Sequence, residues 1–232
     1  MHVGLIVGIG PAATDLYYRF LIATMAARGV DLELTMAHAD TPTLLRNQAS
    51  GNARAQVAIY RRLTDRLQAA GAGAVAVTSI AGHFCIDAFT SVSPLPVIDM
   101  LVEVDREIER EGLRRVGILG TRVAMETGLY GAVRHAEILV PPADVLPRVH
   151  DAYAAMAVAG TVTESQRELF FEAGRALVED QGAEAVLLGG TDLGLAFAGR
   201  DPGFRTLDCA MVHASAIAEV AAEMVVDGPR SR

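Results

Sequence analysis

The sequence has few cysteines, no concentration of positive charge and no long apolar run. Two cysteines, Cys85 and Cys209, are too few for a disulfide framework and favour a reducing compartment, which we take to be the cytoplasm. Acidic residues outnumber basic ones, 28 to 20, and the net charge of −8 is spread along the chain, so we expect no nucleic-acid partner. No apolar run approaches the roughly 20 residues that span a bilayer, so we expect no membrane partner either.

Two further absences concern the start of the chain and metal ions. Residues 1–7 have no charged segment ahead of their apolar run, which predicts a first strand rather than a signal peptide. The histidines and cysteines are scattered without the spacing of metal ligands, so no metal site is predicted. The simplest interpretation of this composition is a mildly acidic soluble enzyme.

Apolar residues are abundant, and one apolar run organises the chain. The hydrophobic fraction is 51% of 232 residues, enough for one large domain or two small ones. The predicted strand Ala185 to Leu188 stops at a glycine pair and is followed by Thr191 and Asp192. An earlier strand, residues 74–77, likewise ends in small and hydroxyl residues. Ligands of open parallel sheets bind just past such strand ends, so both stretches are candidate sites.

Strands alternate with helices along the whole chain, which predicts parallel sheets and an α/β fold. The strand–glycine–helix pattern at Val3 restarts at Val116, so we predict two pseudo-symmetric domains with a cleft between them. The first covers residues 1–98 plus a closing helix at 212–227, and the second covers residues 99–211. Residues 38–48 are interpreted as a strand-to-helix loop, residues 161–164 as a capping box and residues 227–232 as a frayed tail.

Four motifs resemble those of the aspartate/glutamate racemase superfamily over nearly the whole chain. The opening Gly8-Ile9-Gly10-Pro11, followed by residues 15–19, matches the family's start. Residues 116–122 are similar to the start of its second domain. Residues 188–193 match a segment that usually reads Leu-Gly-Cys-Thr-Glu-Leu, and residues 208–213 match a closing Asp-Thr-x-x-x-His.

The resemblance implies two α/β domains, no cofactor and one catalytic residue from each domain. In the family's racemases a thiolate removes the α-proton and a second thiol returns one from the opposite face. Here Thr78 stands at the first position, as in a threonine-bearing subgroup, and Gly190 at the second. Ser79 and Ile80 replace an Asn-Thr pair. A threonine hydroxyl needs an adjacent base, so the two-thiol mechanism cannot operate here.

Other residues are therefore candidates for acid–base chemistry. His83 titrates near neutrality and is the preferred base after the cysteines. Cys209 could face the cleft, although most free cysteines are small buried apolar residues. Cys85 lies near a helix N-terminus, which would lower its pKa. The full predicted catalytic set is Thr78, His83, Gly190 and Cys209.

The remaining candidate residues would hold the ligand. Ser79 and Thr191 offer hydroxyl and N–H donors to a carboxylate, or serve only as helix caps. Arg46 could pair with a second carboxylate or be a solvated surface arginine, and His213 would orient a loop of the second domain. The full predicted substrate-binding set is Gly10, Arg46, Gln48, Ser79, Ile80, Thr121, Thr191, Asp192 and His213.

These features lead to a main functional hypothesis and two alternatives. The main one is cofactor-independent proton transfer next to the carboxylate of a small carboxylate or amino acid, as an isomerase, decarboxylase or lyase. The first alternative is an inactive carboxylate-binding or regulatory homologue. The second is a hydrolase that uses Cys209 or a His-activated water. The family resemblance also implies a homodimer.

Overall fold

The structure, a computed structural model, describes residues 1–8 and 10–223. Two compact units divide the chain. Of the described residues, the first contains 1–8, 14–99 and 213–223, and the second contains 10–13 and 100–212. The frayed tail predicted at 227–232, and the predicted closing helix beyond residue 223, lie outside the described residues. Among the described residues, no helix has both the length and the apolarity needed to cross a membrane.

The first unit is built on a parallel four-stranded sheet. Its strands are β1 (Val3–Val7), β2 (Leu34–His38), β3 (Ala74–Val77) and β4 (Val97–Ile98), in the order β2-β1-β3-β4. The helices associated with it are α1 (Pro11–Arg28), α2 (Thr41–Ala49), α3 (Ala53–Ala69), a 3-10 helix (Ala81–Cys85), α4 (Ile86–Thr90) and most of α10 (Cys209–Glu223).

The sequence explains why β1 and β3 form the centre of this sheet. Both strands are short, continuously apolar and buried at every position, as expected for strands covered on both faces. Gly4 lets α3 approach β1 closely, because a Cβ there would lie 2.9 Å from the side chain of Leu67. The carboxyl ends of β1 and β3 lie at the point where the strand order reverses, which is the usual ligand position in such sheets.

The second unit repeats this architecture. Its parallel strands are β5 (Arg115–Gly120), β6 (Glu137–Leu139), β7 (Ala185–Gly189) and β8 (Thr206–Asp208), in the order β6-β5-β7-β8. The helices are α5 (Met100–Arg110), α6 (Arg122–Glu126), α7 (Leu146–Ala159), α8 (Glu164–Glu179), α9 (Gly194–Phe197) and the start of α10. The matching strand orders confirm the predicted α/β fold of two similar parallel sheets.

Three local predictions are wrong, each because a capping or burial effect was missed. Residues 41–49 form α2 rather than a loop, since Asp40 caps the helix by accepting a hydrogen bond from the Thr43 N–H, with a proline in the first turn. The capping box joins Thr163 to Gln166 and lies two residues later than predicted. Burial raises the pKa of the Cys85 thiol to about 12, although a helix start was expected to lower it.

Candidate functional site

The loop after β3 begins with Thr78, whose hydroxyl is already bound by the protein. Both the backbone N–H and the Oγ1 hydroxyl of Thr78 donate to the carbonyl oxygen of Ile6, at 3.1 and 3.2 Å. The side chain is buried. Because the Ile6 carbonyl oxygen only accepts, the hydroxyl keeps its proton, and this contact does not activate it as a base.

His83 lies in the 3-10 helix that follows this loop and contacts the loop directly. Its Nδ1 donates to the carbonyl oxygen of Ser79 at 2.7 Å, which assigns the proton to Nδ1 because a carbonyl only accepts. Among the described residues, Nε2 has no hydrogen-bond partner. Burial lowers the pKa of His83, against the opposing influence of Asp99 and the Ser79 hydrogen bond. The imidazole is therefore neutral at pH 7, with its Nε2 lone pair available to accept a proton.

Asp99 is a candidate residue that the sequence analysis missed. It follows β4 directly, and its Oδ1 lies 3.9 Å from His83 Nε2. The Asp99 side chain is 16% exposed, whereas that of His83 is fully buried. A carboxylate at this distance stabilises an imidazolium, so the two residues form an acid–base pair in which Asp99 is the member that contacts solvent. The signal available in the sequence was an acidic residue immediately after a short strand.

His213 has a structural role in the same unit. Its Nε2 donates to the Ile98 carbonyl oxygen at 2.8 Å, and its Nδ1 accepts from the Tyr17 hydroxyl at 2.9 Å. Burial, followed by the nearby His83, lowers the pKa of His213 to about 3. Both partners belong to the first unit, and the role of His213 in orienting a loop of the second domain stays a prediction. His213 fixes the end of β4, directly before Asp99.

The other predicted ligand residues of the first unit lie on or beside α2. Arg46 is exposed, and its Nη2 donates to the Thr43 hydroxyl at 2.8 Å. Gln48 is half-buried near the end of the same helix. Ile80 is buried and precedes the 3-10 helix that carries His83. Arg46 and Gln48 remain candidates for ligand contact, but from a helix rather than from the predicted loop.

In the second unit, Asp192 lies after β7 and holds residues 10–13. Its Oδ1 accepts the backbone N–H of Ala13 at 3.1 Å. A Cβ at Gly10, where φ is +93°, would lie 2.7 Å from Asp192 Oδ2, so only glycine fits this close approach. Burial raises the pKa of Asp192 to about 6, despite the Ala13 hydrogen bond. Asp192 thus orients its neighbours.

The space that a side chain at residue 190 would need is filled by the Tyr153 ring. A Cβ on Gly190 would lie 2.4 Å from Cε2, 2.7 Å from Cζ and 3.0 Å from the hydroxyl oxygen of Tyr153. Tyr153 belongs to α7, and the neighbouring Asp192 backbone and Thr191 side chain favour its ionised form, against the stronger opposing effect of burial. The sequence analysis missed Tyr153 because nothing in the chain order connects residue 153 with residue 190.

Cys209 is poorly suited to act as a nucleophile in this structure. It is fully buried as the first residue of α10. Burial, followed by the charges of Asp208 and Asp192, raises its pKa well above the usual range, and only the thiolate is strongly nucleophilic. Asp208 accepts the Ala210 N–H at 2.9 Å, and burial raises its pKa to about 6.

Thr121 and Arg122 make contacts typical of a helix start. Thr121 caps α6 by accepting the Ala124 N–H at 3.2 Å. The backbone N–H of Arg122 donates to His150 Nδ1 at 3.2 Å, and its guanidinium lies 3.9 Å from Glu126. Within the described ranges, no group of three or more His, Cys, Asp or Glu side chains could hold a metal ion.

The structure therefore groups the predicted residues by unit. The strand ends of the first unit carry Thr78, Ser79, His83 and His213. Asp99, which the sequence analysis missed, belongs to this group. The strand ends of the second unit carry Gly10, Gly190, Thr191, Asp192 and Cys209, together with Tyr153, which was also missed.

Comparison with known proteins gives a consistent family and fold. The profile of the Asp/Glu/hydantoin racemase family matches residues 6–217. A candidate Asp/Glu racemase from Yersinia pestis has 25% identity and a TM-score of 0.84, with 96% of this chain and 100% of that chain covered. An aspartate racemase homologue from Pyrococcus horikoshii has 23% identity and a TM-score of 0.79, with 96% and 99% covered. The aspartate racemase of Picrophilus torridus has 17% identity and a TM-score of 0.75, with 95% and 94% covered.

Proposed function

The chain belongs to the Asp/Glu/hydantoin racemase family, and from that premise we propose that it catalyses proton transfer at the carbon next to the carboxylate of a small carboxylate or amino acid. Family membership supports a racemase-like function in general. The proposal is narrower, since it assigns the proton transfer to groups other than two thiols. No cofactor is part of the proposed reaction.

The Asp99–His83 pair is the proposed base, and the observation that carries this assignment is that His83 Nε2 has no hydrogen-bond partner in the part of the chain that the structure describes. A buried nitrogen without a hydrogen bond is uncommon because it loses its solvation without compensation. The lone pair lies 3.9 Å from a carboxylate that contacts solvent. We propose that Asp99 receives the substrate proton and that His83 shares it, with Nδ1 held on Ser79 throughout.

In the proposed step, the C–H bond next to the carboxylate breaks and its electron pair remains on carbon as an enolate-like anion. The proton passes to the Asp99–His83 pair. N–H and hydroxyl donors in the loop after β3, beginning with Ser79, would stabilise the charge on the carboxylate. The same pair then returns a proton to carbon, so the net reaction in D₂O is exchange of hydrogen for deuterium.

Proton NMR in D₂O tests this proposal with L-aspartate, L-glutamate, L-alanine and malate as probes. We expect at least one α-proton signal to disappear with wild-type protein. His83→Asn should remove this exchange, because asparagine keeps a donor to the Ser79 carbonyl but lacks the second nitrogen. His135→Asn is the matched control and should exchange like wild type. Exchange that persists in His83→Asn would contradict the assignment of the base.

A second candidate function is carboxylate binding without turnover. It is favoured by the state of the other polar groups, since the Thr78 hydroxyl is bound to the Ile6 carbonyl and burial keeps Cys209 protonated. Unchanged NMR spectra, together with a melting temperature raised by one of the four probes, would support this alternative. The raised pKa of Cys209 also disfavours a hydrolase that uses this thiol as its nucleophile.

A further inference from the structure

Position 190 is glycine because of its neighbour and not because of its backbone. Gly190 is outside the set of residues with positive φ, so any amino acid could adopt its backbone conformation. The obstacle is the Tyr153 ring, whose Cε2 would lie 2.4 Å from a Cβ. Carbon atoms in van der Waals contact are separated by about 3.5–4.0 Å. The strand end after β7 can therefore hold the ring or a side chain at position 190, but not both.

The ring is fixed by helix packing. Tyr153 lies on the same face of α7 as Val149 and Met156, both fully buried. Its own residue is 6% exposed. A buried aromatic ring on a packed helix cannot move aside without loss of contacts elsewhere in the core.

The ring also determines which functional group this strand end offers. The ring places a phenol hydroxyl beside the Asp192 backbone and the Thr191 side chain. Burial, followed by the charges of Asp192 and Cys209, raises the pKa of Tyr153, so the group stays a neutral phenol. A phenol of this kind donates a hydrogen bond but does not abstract a proton.

We propose that Tyr153 determines the stereochemical specificity of this protein, because its ring excludes any titratable side chain from position 190 and so leaves a single base. This inference rests on the proposed function. With one base on one unit, the proton is removed and returned at the same face of the carbon, and configuration is retained. Tyr153 is a specificity-determining residue under this proposal, and Gly190 is its necessary partner.

A double-mutant cycle in thermal unfolding tests the exclusion independently of any activity. Gly190→Ala should lower the melting temperature of wild type by about 5 °C, because overpacking a core is destabilising. The loss should be the same in Tyr153→Phe, which keeps the ring, and should largely vanish in Tyr153→Ala. Equal losses in all three backgrounds would overturn the exclusion.

The stereochemical test combines Tyr153→Ala with Gly190→Cys. In this double variant the thiol has room at position 190 and exchanges its proton with solvent D₂O, so the protein gains a second titratable group, which inversion requires. We expect the D-enantiomer of the exchanging amino acid to form. The matched Tyr153→Ala/Gly190→Ser variant should exchange without inversion.

Two results would overturn the specificity role. One is inversion by Gly190→Cys alone, since the ring would then not exclude the thiol. The other is exchange without any inversion by the double cysteine variant. If wild type exchanges none of the probes, the proposed function and the stereochemical consequence both fail, while the unfolding cycle still decides whether Tyr153 excludes a side chain at residue 190.

Discussion

The two units share a strand order but differ in the chemistry at their strand ends. The first keeps a neutral imidazole, His83, with an open nitrogen beside the Asp99 carboxylate. The second holds a phenol and a thiol whose pKa values are raised by burial, together with Gly190, where the Tyr153 ring takes the space of a side chain. The repeated topology places candidate residues at the same strand ends in both units. Individual side chains then determine whether a unit has a group that can accept a proton.

Removing either member of the base pair should have the largest effect. We expect Asp99→Asn to lower the rate of α-proton exchange by about 100-fold, the usual scale for loss of a general base. The Asp99→Asn/His83→Asn double variant should exchange its α-proton no more slowly than His83→Asn alone, because the two groups act as a unit. The measurement is the exchange rate in D₂O by NMR, with the exposed Asp87→Asn as control. Additive losses would mean that the residues act separately.

The pH dependence of exchange should identify the imidazole as the group that titrates. The pKa of His83 is lowered by burial, so the rate should fall only as the pH drops below the ordinary value of about 6.5. Asp99 raises the pKa of His83, so its removal should move the acid limb to still lower pH in the residual activity. An acid limb above pH 7 would contradict this account.

The buried His213 should make the protein sensitive to acid. Its folded pKa of about 3 lies below the unfolded value of 6.5, so the unfolded state binds the proton first and stability falls as the pH drops below 6.5. Between pH 7 and pH 5 this amounts to about 2 kcal/mol. In His213→Gln, which retains a donor for the Ile98 carbonyl, denaturant unfolding should show a flatter dependence on pH. An unchanged slope would mean that His213 does not titrate in this way.

Asp192 in the second unit should have the opposite effect on stability, because its protonation at low pH favours the folded state. Its folded pKa of about 6 lies above the ordinary aspartate value of 3.8, so the native state binds the proton first and stability rises as the pH falls through 6. The gain from pH 7 to pH 5 is about 1 kcal/mol. Asp192→Asn keeps an acceptor for Ala13 and should remove this gain in denaturant unfolding. A gain that persists in the variant would assign it to another group.

Thr78 should have the smallest effect on catalysis. Thr78→Val keeps the size of the side chain and removes one buried hydrogen bond, which we expect to lower the free energy of unfolding by about 1 kcal/mol. If the Asp99–His83 pair is the base, exchange should slow by less than about tenfold. A loss as large as that in Asp99→Asn would show that the hydroxyl takes part in the proton transfer.

The sequence was sufficient to predict the fold and the segments that carry candidate residues. Continuous apolar runs such as Val3–Val7 and glycine-terminated strands predicted parallel sheets, because burial on both faces leaves this pattern. The motif around Gly190 predicted a missing thiol. The sequence could not show what fills that position, because contact between residues 153 and 190 depends on how α7 packs.

Of three other features that the sequence analysis missed, one had a local signal in the sequence and two did not. The Asp40-Thr41-Pro42 start of α2 was readable as a cap and was missed. The pairing of Asp99 with His83 depends on two loops meeting at the end of the sheet, and no spacing in the chain encodes that distance. The state of Cys209 depends on burial, which a single sequence does not specify for an isolated thiol.

The central claim is that only the first unit supplies a base, and the stereochemistry of exchange in wild-type protein tests it most directly. L-Aspartate and L-glutamate would be incubated in D₂O, with deuterium at the α-carbon followed by NMR and the enantiomers separated on a chiral column. We predict that deuterium enters while the L-form is retained. Formation of the D-enantiomer at a rate comparable to deuterium entry would show two working bases and contradict the account.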